Sequence, residues 1–442
     1  MLPVLQAETI ILDLVQPLSG QEDVEVLNSP DVRGRILAAP VSSNLDFPHW
    51  DNSAMDGYAV RFADVSSCNA EHPAVLEVVE EIPAGYQPQR TIGRGQAARI
   101  LTGSMMPDGA DTVVMQEETK REGMRLFIFS SPESPQAFVR HQGAFYQAGN
   151  PLLMPGIALN APEIAVLAAA QCTQVPVYRR LRVGILSTGS ELVRLEQPLQ
   201  PGHIVDSNQY ALASGVRQAG AIPQMLGIVP DDREAIKEAI GSILPEVDMV
   251  LSSGGVSVGD YDYVEQILST LGAEIQIKSV AIKPGKPLTV ATFKQPHFVL
   301  YFGLPGNPVS ALVSFWRFVR PAIKKMSGLA RGYLPEFVQA VTQNELRAGG
   351  KRETYLWGTL HLSESECEFE LATGSHSSGN LINLAGTNAL AVVPVGERAI
   401  GPRTFVSGAP THVVRRMRHN RVGAPGNDRI IGPGSVVRVL RM

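Results

Sequence analysis

Residues 247–271 read VDMVLSSGGVSVGDYDYVEQILSTL. The opening VDMVLSS is an apolar run, as expected of a strand buried on both faces. Residues 261–271 read as a helix. The loop between them carries Gly254, Gly255 and Gly259. A buried strand that turns through glycines directly into a helix is a unit of a parallel α/β sheet. The same alternation extends on both sides. LRVGILS (181–187) is a buried strand, 208–219 a helix, 224–228 a strand, and 231–243 a helix with Asp231 as its N-cap. Strand-like runs follow at 275–282, 287–292 and 298–302, then a long helix at 308–326. Right-handed βαβ connections then predict a doubly wound, mostly parallel α/β domain over 179–328.

The flanks read differently. Residues 5–17 predict a short helix, and 161–172 a buried helix with Pro162 in its first turn. Between them, 46–150 is turn-rich, with strand-like pieces at 75–79, 112–116 and 125–129. The expected organisation is a linking domain made of 1–45 with 146–178, and an inserted mainly β domain over 46–145. After the α/β domain, a small β-barrel is expected over 329–442, from runs at 337–343, 354–362, 368–372 and 389–393. Residues 403–431 read as an insertion before a closing strand in 432–441. Its Arg415, Arg416, Arg418 and Arg421 suit a solvated loop or, alternatively, a docking element.

Composition narrows the function. The 442 residues are 44% hydrophobic and 18% charged, with a net charge of −5. That supports several packed cores and gives no bulk attraction to nucleic acid or acidic membranes. Three cysteines, far apart and without a C-x-x-C pair, suit a reducing compartment. The first residues lack the basic start of a signal peptide. No apolar run approaches the ~18 residues of a membrane span. A cytoplasmic enzyme with no nucleic-acid or membrane partner is expected.

Four loops carry the chemistry. In SSGGVSVGDYD (252–262) the glycines let the backbone approach a ligand, Ser257 is a donor, and Asp262 suits Mg²⁺. KPGKP (283–287) sets Lys283 and Lys286 in a stiff cationic clamp for a phosphate or tetrahedral oxyanion. GLPGNP (303–308) and STGSE (187–191) each follow an apolar strand. Three of these loops lie at strand ends, where open α/β sheets bind ligands. A fifth polar string, DNSAMDGYAV (51–60), lies in the β domain.

These strings, with ILTGSMMPDGADTVVMQE (100–117) and DSN (206–208), resemble the molybdopterin molybdenumtransferase family, the MoeA-like proteins related to the E domain of gephyrin. The resemblance spans about residues 5–394. It implies an elongated, four-part homodimer that converts adenylylated molybdopterin and molybdate into molybdenum cofactor and AMP, with Mg²⁺. It implies catalytic roles for Asp262, Asp56, Lys283 and Lys286, with Glu191 and Asp262 at the metal. Substrate contacts are implied for Thr102, Glu191, Asp231, Gly254, Gly255, Ser257, Gly259, Pro305, Asn307, Pro308, Arg352, Ser377 and Ser378. Glu191 and Asp231 read equally well as helix caps. The adenylyltransferase of the same pathway is a further possible partner. Asp56 and Thr102 are expected to reach the α/β rim of the partner subunit.

Three positions depart from the family pattern. Ala144-Phe145 follows Gly143 where the family carries carboxylates, Ser279 stands where it has a lysine, and Trp357 replaces an arginine before Gly358. Arg352, with Ser377 and Ser378, is the expected compensation for the last. Two other readings stay open: a molybdopterin adenylyltransferase, and a non-catalytic gephyrin-like scaffold.

Overall fold

The computed structural model describes residues 1–255, 264–342, 344–348, 350–362, 367–396, 399–400 and 436–442. At its centre is a six-stranded sheet in the order Ile222–Val229, Arg182–Thr188, Met249–Ser253, Val299–Leu304, Pro287–Phe293, Glu274–Ser279. The first four strands are parallel, and Pro287–Phe293 runs antiparallel to both its neighbours, so Glu274–Ser279 points the same way as the first four. The change has a simple cause. Only short loops join the strands between Glu274 and Leu304, and a parallel crossover needs a dozen or more residues.

Successive strand residues feed opposite cores. Val183, Ile185, Met249, Leu251, Leu300 and Phe302 face the helices Asn208–Gln218 and Pro308–Ser314. Leu186, Val250, Val299 and Tyr301 face the helices Arg233–Ile243 and Val264–Thr270. Both faces are therefore covered, as the continuous apolar runs predict. The predicted long helix is Pro308–Ser314, a π-helical turn Phe315–Val319 and Arg320–Met326 in succession.

Three local expectations need correction. The N-cap of Arg233–Ile243 is Asp232, whose carboxylate accepts from the Ala235 N–H at 2.9 Å, not Asp231. The helix Ala161–Ala169 buries only Leu167, so it is a surface helix on its linking body rather than a buried one. The N-terminal helix Val4–Leu14 sends Val4, Ala7 and Ile11 into the α/β core. Leu2 bridges Val280, and the Leu18 N–H donates to the Met326 carbonyl. Residues 2–18 thus pack away from the linking body to which 1–45 was assigned. Their apolar stripe matches the exposed flank of the sheet's helices.

In the linking body itself, Val24–Asn28 pairs with Gln174–Tyr178 and Val41–Ser42 with Pro151–Leu153. Its core joins Val32, Leu37, Leu159, Leu167, Val175 and Val177. The intervening chain holds a six-stranded sheet ordered Thr112–Met115, Gly57–Val60, Gln96–Ile100, Ala74–Ile82, Arg125–Ile128, Thr119–Glu122. The C-terminal strands close into a small barrel. Glu353–Leu362, Cys367–Leu371, Phe337–Thr342, Val436–Arg441 and Ala389–Val393 pair in turn, and the last returns to the first. Val436–Arg441 is the expected closing strand. The insertion at 403–431 and its arginines lie outside the described residues.

Barrel and α/β domain are joined by hydrogen bonds. Ile282–Lys283 pairs parallel with the start of Glu353–Leu362. The Glu353 N–H donates to the Ala281 carbonyl at 3.0 Å, and Arg352 Nη1 donates to the Ile282 carbonyl at 3.3 Å.

Candidate active site

The parallel strands end in register, Ser187 beside Ser253 and Ser253 beside Leu304. The loops that leave them therefore meet at one rim. They line a cavity of about 420 Å³ with Thr188, Gly189, Glu191, Asn208, Asp231, Ser253, Gly254, Gly255, Pro305, Gly306, Asn307 and Pro308 around it. Asn208 ties the loops together: its Nδ2 donates to Ser253 Oγ at 2.5 Å and to the Gly306 carbonyl at 2.8 Å.

Gly254 and Gly255 both adopt positive φ, +93° and +67°. A Cβ at Gly254 would lie 2.3 Å from the Thr188 carbonyl oxygen. Two loops thus come closer than any side chain allows, and the rim is surfaced by backbone. Of the other residues expected in this loop, Ser257, Gly259 and Asp262 lie outside the described residues.

The cap alternatives for the two carboxylates fail here. Asp232 does the capping, which leaves Asp231 on the cavity wall. Glu191 precedes a strand, Leu192–Val193, and no helix follows it directly. Beside them, Asn208 Oδ1, Ser187 Oγ and Thr188 Oγ1 are buried and have no hydrogen-bond partner among the described residues. Carboxylate, amide and hydroxyl oxygens are the donor set of a hard divalent cation. No cluster of three or more His, Cys, Asp or Glu able to cage a metal occurs among the described residues. Two carboxylates fit Mg²⁺, which commonly takes one or two and completes its shell with water and phosphate.

A second cavity, of about 650 Å³, adjoins the first and shares Pro287, Asn307 and Ser310 with it. Lys283 and Lys286 line it from the α/β domain, and Arg347, Arg352, His376, Ser377 and Ser378 from the barrel. Among the described residues, no carboxylate lines it. Lys283 and Lys286 have no ion pair among the described residues, whereas Arg347 also pairs with Glu345. A cluster of cations with hydroxyls around an open cavity suits a tetrahedral dianion. Arg352, Ser377 and Ser378, expected at the site, line this cavity. Arg347 and His376 were missed, because nothing in their local sequence marks a strand end. Only barrel closure brings them to Lys283.

Trp357 does not take over an arginine's position on the wall. It is fully buried, its Nε1–H donates to Asn383 Oδ1 at 3.0 Å, and its ring lies 4.3 Å from that of His376. Asn383 in turn donates to the Thr373 and Ser375 carbonyls. Trp357 therefore sets the course of the segment that carries Ser377 and Ser378.

Asp56 and Thr102 line neither cavity. They sit on the β domain and bind each other: the Thr102 N–H and hydroxyl both donate to Asp56 Oδ1 at 2.7 Å. The backbone N–H and then the hydroxyl of Thr102 hold the Asp56 carboxyl below the usual carboxylate range. Such a group is a fixed negative charge and a poor proton shuttle at neutral pH. Gly57 next to it allows strand contact, since a Cβ there would meet the Val114 carbonyl at 2.0 Å. Nearby, burial raises the Asp51 carboxyl, but the Gln142 N–H and His141 bring it to a net lower value. Phe145 is 74% exposed.

A larger cavity, about 1020 Å³, opens at the opposite, amino-terminal edge of the sheet, by Arg182 and Asp248. Several of its charges satisfy one another. Arg179 is bidentate to Asp248 at 2.7 and 2.9 Å and reaches Asp23 at 2.9 Å, while Arg35 pairs with Glu25 at 2.7 Å. Size alone does not make it the site: ligands of open α/β sheets bind at the carboxyl ends.

Comparison with known proteins agrees with this layout. Family models match along the chain: the MoeA N-terminal region (domain I and II) over residues 2–170, a probable molybdopterin binding domain over 184–325, and the MoeA C-terminal region (domain IV) over 339–402. A molybdopterin molybdenumtransferase of Nostoc sp. is 60% identical over 92% of this chain and 92% of its own length. One from Haemophilus influenzae is 34% identical over 79% of this chain and 85% of its own. The solved structure of a molybdopterin biosynthesis moeA protein from Pyrococcus horikoshii covers both chains completely, with a TM-score of 0.78 at 27% identity. By fold, by the length of these matches and by the identity to its relatives, the chain belongs to the molybdopterin molybdenumtransferase family, a family of transferases.

Proposed function

We propose that the chain inserts molybdenum from molybdate into adenylylated molybdopterin, releases AMP, and does so with Mg²⁺. The observation that carries this reading is the pair of adjoining cavities, one cationic and one lined by carboxylates and backbone, which share Asn307 and Ser310. Lys283, Lys286 and Arg352, helped by Ser377 and Ser378, hold the molybdate dianion by charge-assisted hydrogen bonds. The N–H groups of Gly254 and Gly255 approach the substrate phosphates, and Pro305, Asn307 and Pro308 wall the passage between the cavities. Glu191 and Asp231, with Asp262, hold the divalent cation. When bound, Mg²⁺ supplies charge neutralisation at phosphate oxygens as the phosphoanhydride breaks. The lysines then keep the oxyanion beside the pterin until the adenylate has left.

Asp56 and Thr102 belong to the same reading only if a second subunit brings them to the cavity. We therefore assign the chain as a homodimer with shared sites. The substrate would come from a molybdopterin adenylyltransferase, and the three unpaired cysteines suit the cytoplasm.

Purified protein given adenylylated molybdopterin, Mg²⁺ and molybdate is expected to release AMP only when molybdate is present. AMP release at the same rate without molybdate, or none with it, rejects the reaction. Mixing Asp56→Ala with Lys283→Ala subunits is expected to restore activity in heterodimers. No restoration rejects the shared site while leaving the reaction standing.

A further inference from the structure

Arg317 lies in the π-helical turn of the helix that starts at Pro308 on the cavity wall. It is nine residues further on, roughly 14 Å along the axis, and lines neither cavity. Its side chain is only 1% exposed. A buried guanidinium is costly unless all its donors are engaged. Here they hold three parts of the chain together. Nη1 pairs with Glu8 of the N-terminal helix, and Nε donates to the Tyr355 hydroxyl at 3.0 Å. The guanidinium also lies 5.4 Å from the ring centroid of Phe337, on the barrel's first strand.

The chain of contacts continues toward the cation cavity. The Tyr355 hydroxyl donates to Glu353 Oε1 at 2.6 Å. Glu353 opens the barrel strand that pairs with Ile282–Lys283. Its neighbours Arg352 and Thr354, and Tyr355 itself, line the cation cavity with Lys283. The two lysines come from one domain and Arg352 from another, so the spacing of the cations depends on how the domains are docked. A π-turn displaces the helix face by one residue, which aims Arg317 at this junction.

We infer that Arg317 is a positioning residue for the oxyanion. Through Tyr355 and Glu353 it fixes the barrel strand against Lys283 and so sets the affinity of the cation cavity, without touching substrate. This rests on the reading of that cavity as the molybdate site. Cations held at the wrong spacing cannot share a tetrahedral anion, whereas this chain's walls of the adenylate cavity all come from the α/β domain.

Two full-length variants test this. Arg317→Met/Glu8→Leu removes the buried pair without orphaning either charge, and Tyr355→Phe cuts the relay while leaving Arg317 paired. In each, breaking the link through the Tyr355 hydroxyl is expected to weaken molybdate binding, measured by calorimetry, roughly 3- to 10-fold. The KM for molybdate is expected to rise with it, while the KM for adenylylated molybdopterin stays within about twofold. A folded variant that binds molybdate like wild type, or that weakens both substrates equally, overturns the inference. Should the double variant fail to fold, Tyr355→Phe alone decides. Wild-type protein that binds no molybdate overturns the cavity assignment itself, and this inference with it.

Discussion

The two adjoining cavities are built in opposite ways. The carboxylate-lined one is made by a single domain, from loops that each follow a strand of one sheet. The cationic one is made by two domains, with lysines from one facing arginines and serines from the other. Strand register fixes the first, and domain docking fixes the second. One set of substitutions can therefore damage the adenylate side and spare the oxyanion, and another can do the reverse.

The largest effect is expected at Gly254. Gly254→Ala must place a Cβ 2.3 Å from the Thr188 carbonyl at φ +93°, a clash added to the roughly 1–2 kcal/mol cost of a left-handed residue. Activity is expected to fall at least about a hundredfold, while calorimetric molybdate binding persists. Lost molybdate binding in a folded Gly254→Ala variant would merge the two cavities into one energetic unit. Next comes Lys283→Ala. Removing one charge-assisted hydrogen bond worth about 1.5–3 kcal/mol is expected to raise the KM for molybdate roughly 10- to 150-fold, with little change for the adenylate. A larger rise for the adenylate than for molybdate contradicts the division of labour.

Smaller effects separate Asp231 from Asp232. Asp232→Ala removes a cap and is expected to cost about 1 kcal/mol, read as a lower unfolding midpoint with unchanged KM for Mg²⁺. Asp231→Asn is expected to raise the Mg²⁺ requirement and leave the midpoint alone. Exchange of those two outcomes reverses the assignment. The smallest effect concerns pH. Because Thr102 depresses the Asp56 carboxyl, the contact is present above its unfolded pKa and is lost only as pH falls through the lower folded value. Asp56 is therefore expected to add no inflection to the activity profile between about pH 5 and 8. An inflection in that window that disappears in Asp56→Asn shows a protonation role instead.

The same contrast explains what could be read from the chain alone. Buried strands followed by glycines disclosed the doubly wound sheet, because apolar runs and turn chemistry are local signals. The Thr188, Gly254 and Asn307 loops were placed at one rim from it, since a strand end fixes where its loop points. Asp231 against Asp232 was not decidable: adjacent carboxylates offer the same chemistry, and only the chain's path into the helix selects the cap. Arg347 and His376 were hidden for a different reason, because they reach the cavity through barrel closure. The N-terminal helix read correctly as a helix, but nothing in its stripe tells which core will take it.

The account stands most directly on where the oxyanion sits. Crystals soaked in tungstate, a tetrahedral dianion with strong anomalous scattering, are expected to show one peak between Lys283, Lys286 and Arg352, beside Ser377. A peak instead in the cavity at the amino-terminal edge of the sheet, near Arg180 and Arg182, would contradict it.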